Sequence, residues 1–69
     1  MRKEETEMAY NILRIRKSKK MTQQELARLS GISRATISKL ENGEEIEVKI
    51  STLEAISNAL GVTWPELVS

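Results

Sequence analysis

With 69 residues, one Trp, one Tyr and no Phe, the chain is expected to form a single domain (1–69) around a core of Leu, Ile, Val, Ala and Met. It has no cysteine or histidine, which excludes disulfides and the commonest nucleophile–base pairs, and it has no apolar run near the ~20 residues that span a bilayer. No signal-peptide pattern opens it, so a cytoplasmic location is expected, and a formal charge of +1 is too small by itself to argue for nucleic acid.

Residues 1–7 are polar and read either as a solvated, flexible tail or as an extension of the first helix, with their acids near its N-terminus. Met8, Ile12 and Ile15 recur at helical spacing and mark the inner face of a helix running to about Lys19. Thr22 can cap a second helix, and Glu25, three residues on, completes a capping box. Leu26, Ala27 and Leu29 are expected to form the apolar side of that helix. Gly31 stands where it must stop, since a left-handed residue costs glycine little. Ser33 caps a third helix with Ile37 and Leu40 facing inward, and Asn42-Gly43 ends it. Small Ala27 on the inner side and Ile32 inside so short a joint predict two helices crossing steeply, a helix-turn-helix.

Residues 44–50 alternate charged and apolar at Ile46, Val48 and Ile50, a period that favours an extended segment. It reads as a connector tucking apolar side chains onto the core or, alternatively, as a short edge strand joining two subunits. Ser51 or Thr52 is expected to cap a fourth helix, with Glu54 in its first turn, Leu53, Ile56 and Leu60 as its buried stripe, and Gly61 as its stop. Thr63 and Glu66 form another capping box around Trp64-Pro65, and Trp64 reads as a core plug or as an anchor for a partner subunit.

Thr22-Gln23-Gln24-Glu25-Leu26-Ala27, Gly31-Ile32-Ser33 and Ile37-Ser38-Lys39-Leu40-Glu41-Asn42-Gly43 together resemble the phage Cro and lambda-repressor family of helix-turn-helix domains (XRE-type regulators). The resemblance extends from about residue 8 to 68. It implies an all-α, five-helix lambda-repressor-like fold with the helix-turn-helix at helices 2 and 3. It also implies that Arg16 pairs with Glu41, that Gln23 and Asn42 hold backbone phosphates, and that the domain works as a homodimer on a palindromic operator. A departure is the acidic Glu44-Glu45 after the Asn-Gly, where many family members are basic; these residues would repel phosphate.

On a helical wheel of residues 33–42, Ile37, Leu40 and Glu41 point to the body, and Arg34, Ala35, Ser38, Lys39 and Asn42 point away, with Thr36 at the flank. Arg34 and Lys39 can donate to guanine, Ser38 can bond to several base edges, and the Ala35 methyl can pack on thymine. Thr22, Gln23, Thr36 and Asn42 are the expected phosphate contacts, aided by backbone N–H groups at the start of the second helix. Dimer candidates are Trp64, Ile46 and Val48.

Charge distribution fits this reading. Residues 1–39 hold ten basic side chains against Glu4, Glu5, Glu7 and Glu25, a balance of +6, and residues 40–69 hold Lys49 against six glutamates, a balance of −5. Such polarity presents one basic face on a nearly neutral molecule. The expected function is sequence-specific binding of double-stranded DNA by a bacterial or phage regulator, a repressor, with no cofactor, metal or small-molecule ligand. The alternative is an antitoxin-like or adaptor module that uses the same fold to bind another protein. An enzyme is the weakest reading, for want of a Gly-rich phosphate loop or a carboxylate pair in a cleft.

Overall fold

A computed structural model describes residues 3–44 and 46–68, and the side chains of 8–44 and 46–67. Five helices follow in order: α1 Lys3–Ser18, α2 Gln23–Ser30, α3 Arg34–Glu41, α4 Ile50–Leu60 and α5 Trp64–Val68. No strand occurs among the described residues. The backbone is helical from Lys3, so of the two readings of the N-terminus it takes the helical extension there. Met1, Arg2 and the side chains through Glu7 lie outside the described residues.

Helix α1 lays Met8, Ile12 and Ile15 on a core completed by Leu26, Ile37, Leu40, Leu53, Ile56, Leu60 and Leu67. It packs on α3 and α5, while α2 packs on α3 and α4. The turn after α1 closes with Lys20 N–H to the Lys17 carbonyl at 2.9 Å and Met21 N–H to the Arg16 carbonyl at 3.1 Å. Lys20 pays for this geometry, at φ 56 in the left-handed region, where a side chain costs ~1 kcal/mol or more.

The helix-turn-helix is closed by its own side chains. Thr22 Oγ1 accepts the Glu25 N–H at 3.0 Å, and Glu25 Oε1 accepts the Thr22 N–H at 3.2 Å. Gly31, at φ 76, ends α2 and donates its N–H to the Ala27 carbonyl. Ser33 Oγ accepts the Thr36 N–H at 3.1 Å and starts α3. Ile32, in the joint, and Ala27 pack against the core. Leu29 does not: it is 50% exposed. The inner arc of α2 runs from Leu26 through Ser30 and Gln23 to Ala27, and Leu29 falls on the far side of Leu26 at about 100° per residue.

In the connector, Ile46 and Val48 pack onto the core, so it tucks its apolar residues inward. The alternation ends there. Ile50 is 51% exposed and is the first residue of α4, not the end of an extended segment. The cap of α4 is Lys49 (φ −83, ψ 152), without a side-chain cap bond. Its carbonyl accepts the N–H groups of Thr52 and Leu53. The helix so begun carries Leu53, Ile56 and Leu60 on its buried stripe. Ser51 and Thr52 therefore lie inside the first turn instead of capping it, and no acid stands in that turn, Glu54 falling just beyond it.

Helix α5 is short and is fixed at both ends. Glu66 Oε1 accepts the Thr63 N–H at 3.4 Å and the Thr63 hydroxyl at 3.0 Å. Asn11, buried on α1, donates its Nδ2 to the Leu67 carbonyl at 3.1 Å and the Glu66 carbonyl at 3.4 Å. Leu67 is fully buried, and Trp64 is half-buried against the core.

Candidate nucleic-acid interface

Helix α3 turns Ile37 and Leu40 into the core and leaves Arg34, Ala35, Lys39 and Asn42 exposed, with Thr36 and Ser38 half-buried. The hydroxyl of Thr36 accepts from Ser33 Oγ at 2.9 Å, so it is already engaged in the cap. Arg34 stands in the first turn of α3, where the helix dipole disfavours a cation by a few tenths to ~1 kcal/mol. Lys39 lies in the last turn, where the same dipole favours it.

At the other end of α3, Glu41 is drawn inward. Its side chain is 4% exposed and that of Arg16 is 11% exposed. Arg16 Nε donates to Glu41 Oε2 at 2.7 Å and Nη2 donates to Oε1 at 2.9 Å. Such a two-pronged guanidinium–carboxylate bond is among the stronger side-chain contacts. Arg16 Nη1 also donates to the Met21 carbonyl at 2.8 Å, which fixes the turn between α1 and α2. The hydrogen bond to Glu41 raises the Arg16 guanidinium above its usual value; burial opposes this and the Glu41 charge adds to it. The guanidinium stays charged at any working pH.

A third donor reaches the same carboxylate: Gln23 Nε2 lies 2.9 Å from Glu41 Oε1. Sequence reasoning placed Gln23 on a phosphate and missed this bond, because residues 18 positions apart carry no local signal of contact. Gln23 is half-buried, and Thr22 beside it is exposed.

Gln23 and Thr22 open onto a groove of about 360 Å³ lined also by Arg16, Lys20, Met21, Gln24 and Arg34. The groove thus brings the start of α2 and the start of α3 to one opening, with the cations Lys20 and Arg34 on its walls. Lys39 and Asn42 are not among its lining residues and belong to the later part of α3. The sequence reads Lys20 as a solubilising charge that stands near a DNA backbone and does not single out Gln24; both line the groove. Lys19, by contrast, points elsewhere: a Cβ added at Gly61 would meet its Nζ at 3.7 Å. Its charge sits by the C-terminal end of α4, where cations are favoured. Glu44 and Glu47 are exposed beyond α3, whereas Glu45 lies outside the described residues. Among the described residues there is no acid cluster able to hold a metal ion, and no helix is long and apolar enough to cross a membrane.

With this geometry in hand, comparison with known proteins defines the class. The helix-turn-helix family matches residues 12–67. A protein of Sinorhizobium fredii (strain NBRC 101917 / NGR234) named as HTH-type transcriptional regulator y4dJ is 41% identical over 59 residues, 86% of this chain and 75% of that protein. The HTH-type transcriptional regulator RghRB of Bacillus subtilis (strain 168) is 40% identical over 55 residues, 80% of this chain. The match spans only 40% of the Bacillus protein's length. A hypothetical transcription factor from Neisseria, NHTF, superposes with a TM-score of 0.88 at 32% identity, over 96% of this chain and 75% of that one. The chain belongs to the XRE-type helix-turn-helix family of DNA-binding transcriptional regulators, and its fold is the all-α lambda-repressor-like domain.

Proposed function

We propose that the chain is a sequence-specific repressor that binds a palindromic operator in double-stranded DNA as a homodimer. The observation that carries this reading is the placement of the outer face of α3 beside the groove at the start of α2. In this arrangement α3 enters the major groove with Arg34, Ala35, Ser38 and Lys39 toward base edges. Thr22, Gln23 and the first N–H groups of α2 take a backbone phosphate, and Thr36 and Asn42 take further phosphates along α3. Bound at an operator, the domain represses by occupying it. The capped, closely packed α2–α3 unit supports the reading, since side chains that read bases must be held in a fixed register.

The size of one copy supports a dimer on a two-half-site operator. The longest dimension of the described residues is 27 Å, shorter than the ~34 Å that separates two half-sites one helical turn apart. Trp64, Ile46 and Val48 are half-buried in their own chain and keep apolar surface for that partner. The cellular setting of this activity is the cytoplasm.

The test is selection of bound duplexes from a random pool, with the mass of each complex measured. An enriched palindrome bound by two chains is the expected result, with affinity falling steeply as salt rises. Recovery of no sequence, or affinity indifferent to salt, sinks the reading in favour of a protein-binding module. Within the selected site, Lys39→Ala should cost ~1–3 kcal/mol at one base position and relax its preference, whereas Gln23→Ala should weaken all sequences alike.

A further inference from the structure

Glu41 lies at the C-terminal end of α3 with its side chain 4% exposed, and it accepts the amide of Gln23 from the N-terminal end of α2. We infer that Glu41 is a positioning residue that orients the Gln23 side chain for its phosphate and fixes that grip relative to the reading helix. The inference rests on the proposed DNA binding and deepens it.

The physical reason is the asymmetry of the two groups. An ionised carboxylate only accepts, so Gln23 must turn Nε2, not Oε1, toward Glu41. A terminal amide carries two N–H bonds; one is given to Glu41, which leaves the other for a phosphate in the groove that Gln23 lines. A phosphate oxygen also only accepts. An amide free to rotate would present its carbonyl to phosphate half the time and would have to be ordered on binding. The Glu41 carboxylate cannot swing to accommodate such rotation, because Arg16 holds both of its oxygens at 2.7 and 2.9 Å and the side chain is 4% exposed. Arg16 is itself tied to the Met21 carbonyl, immediately before Thr22 and Gln23. The guanidinium therefore fixes the backbone of the grip while the carboxylate fixes its side chain. One buried network thus joins α1, the start of α2 and the end of α3, so that the phosphate rail and the base edges are met in a set relation.

The test is a double-mutant cycle on affinity for the duplex recovered by selection, read only on variants whose circular dichroism and melting show them folded. Gln23→Ala should weaken binding about tenfold or more, as for loss of a hydrogen bond to a charged group. Glu41→Ala should weaken wild-type protein to a similar degree, yet change affinity by less than about twofold once Gln23 is already alanine. In case Glu41→Ala strands the Arg16 charge and unfolds the protein, Arg16→Met with Glu41→Leu replaces the pair by apolar side chains of similar size. The effect of that pair on affinity should be about tenfold smaller when Gln23 is already alanine, since any contact Arg16 makes on its own appears in both backgrounds and cancels from the difference. Replacing single phosphates of the duplex by methylphosphonates gives the second readout. One position should weaken wild-type binding and leave both the Gln23 and the Glu41 variants unaffected. Equal losses in both backgrounds, or a Glu41 variant that keeps its sensitivity at that phosphate, overturn the inference. A wild-type protein that binds no duplex overturns the proposed function instead and takes this inference with it.

Discussion

The two halves of the molecule are held by different forces. From Thr22 to Gly43 the ends of the helices are closed by side chains and a left-handed glycine, and a buried ion pair with an amide attached locks α3 to α1 and α2. From Ile46 onward, α4 starts on Lys49 with no side-chain cap and is held by Leu53, Ile56 and Leu60 in the core. Apolar burial is non-directional and tolerates small shifts. Hydrogen bonds and charge pairs fix orientation, and they are concentrated in the half proposed to read DNA. The contrast teaches that directional contacts set the register of α2 and α3, whereas α4 rests on burial and α5 beyond it is tied by Asn11 and Thr63.

The largest effect that sharpens the contrast is expected in the second half. Ile56→Ala empties a fully buried site and should cost ~2–5 kcal/mol in denaturant unfolding, depending on how far α4 collapses onto the gap. Breaking the polar lock comes next. Glu41→Ala leaves a guanidinium that is nearly buried without its partner and should cost ~3 kcal/mol, while Arg16→Met with Glu41→Leu should be close to neutral for stability. If both cost the same, packing volume and not charge pairing holds that joint.

Capping gives a smaller and opposite-signed pair. Thr22→Ala removes the box at α2 and should lose ~1 kcal/mol, whereas Lys49→Asp adds an acceptor where α4 has none and should gain about 0.5–1 kcal/mol. Equal responses at the two caps would erase the distinction between the halves. The smallest effect concerns the turn before α2: Lys20→Gly relieves the left-handed strain and should raise stability by ~0.5–1 kcal/mol. The melting temperature reads this directly.

Much of the architecture was legible because it is local. The capping box of α2, the glycine stops and the stripes of α1, α3 and α4 lie within four residues of one another, and short-range sterics and hydrogen bonding decide them. The box expected at Thr63 and Glu66 is only half made, since the Thr63 hydroxyl donates to Glu66 instead of accepting its N–H. Where local signals compete, the reading slipped. Ser51 and Thr52 are good caps, but the helix begins before them, at Ile50, on a Lys49 that makes no side-chain cap bond. Leu29 looks like part of an apolar side, but the inner arc of α2 runs from Leu26 to Ala27 and leaves Leu29 outside it. On α3, helical period alone places Arg34, Ala35, Lys39 and Asn42 outward, as they are, and Ser38 with them, which is half-buried.

The amino-acid sequence by itself determined that this chain forms five helices, that α2 and α3 make a helix-turn-helix, and which side of α3 stays free, because these follow from spacings of three and four residues. Only the tertiary structure decided that Asn11 holds the end of α5, that Lys19 serves α4, and that Gln23 shares the Glu41 carboxylate with Arg16. Those contacts join residues 18 to 56 positions apart. Their partners are chosen by how helices pack around the core, which no local pattern encodes.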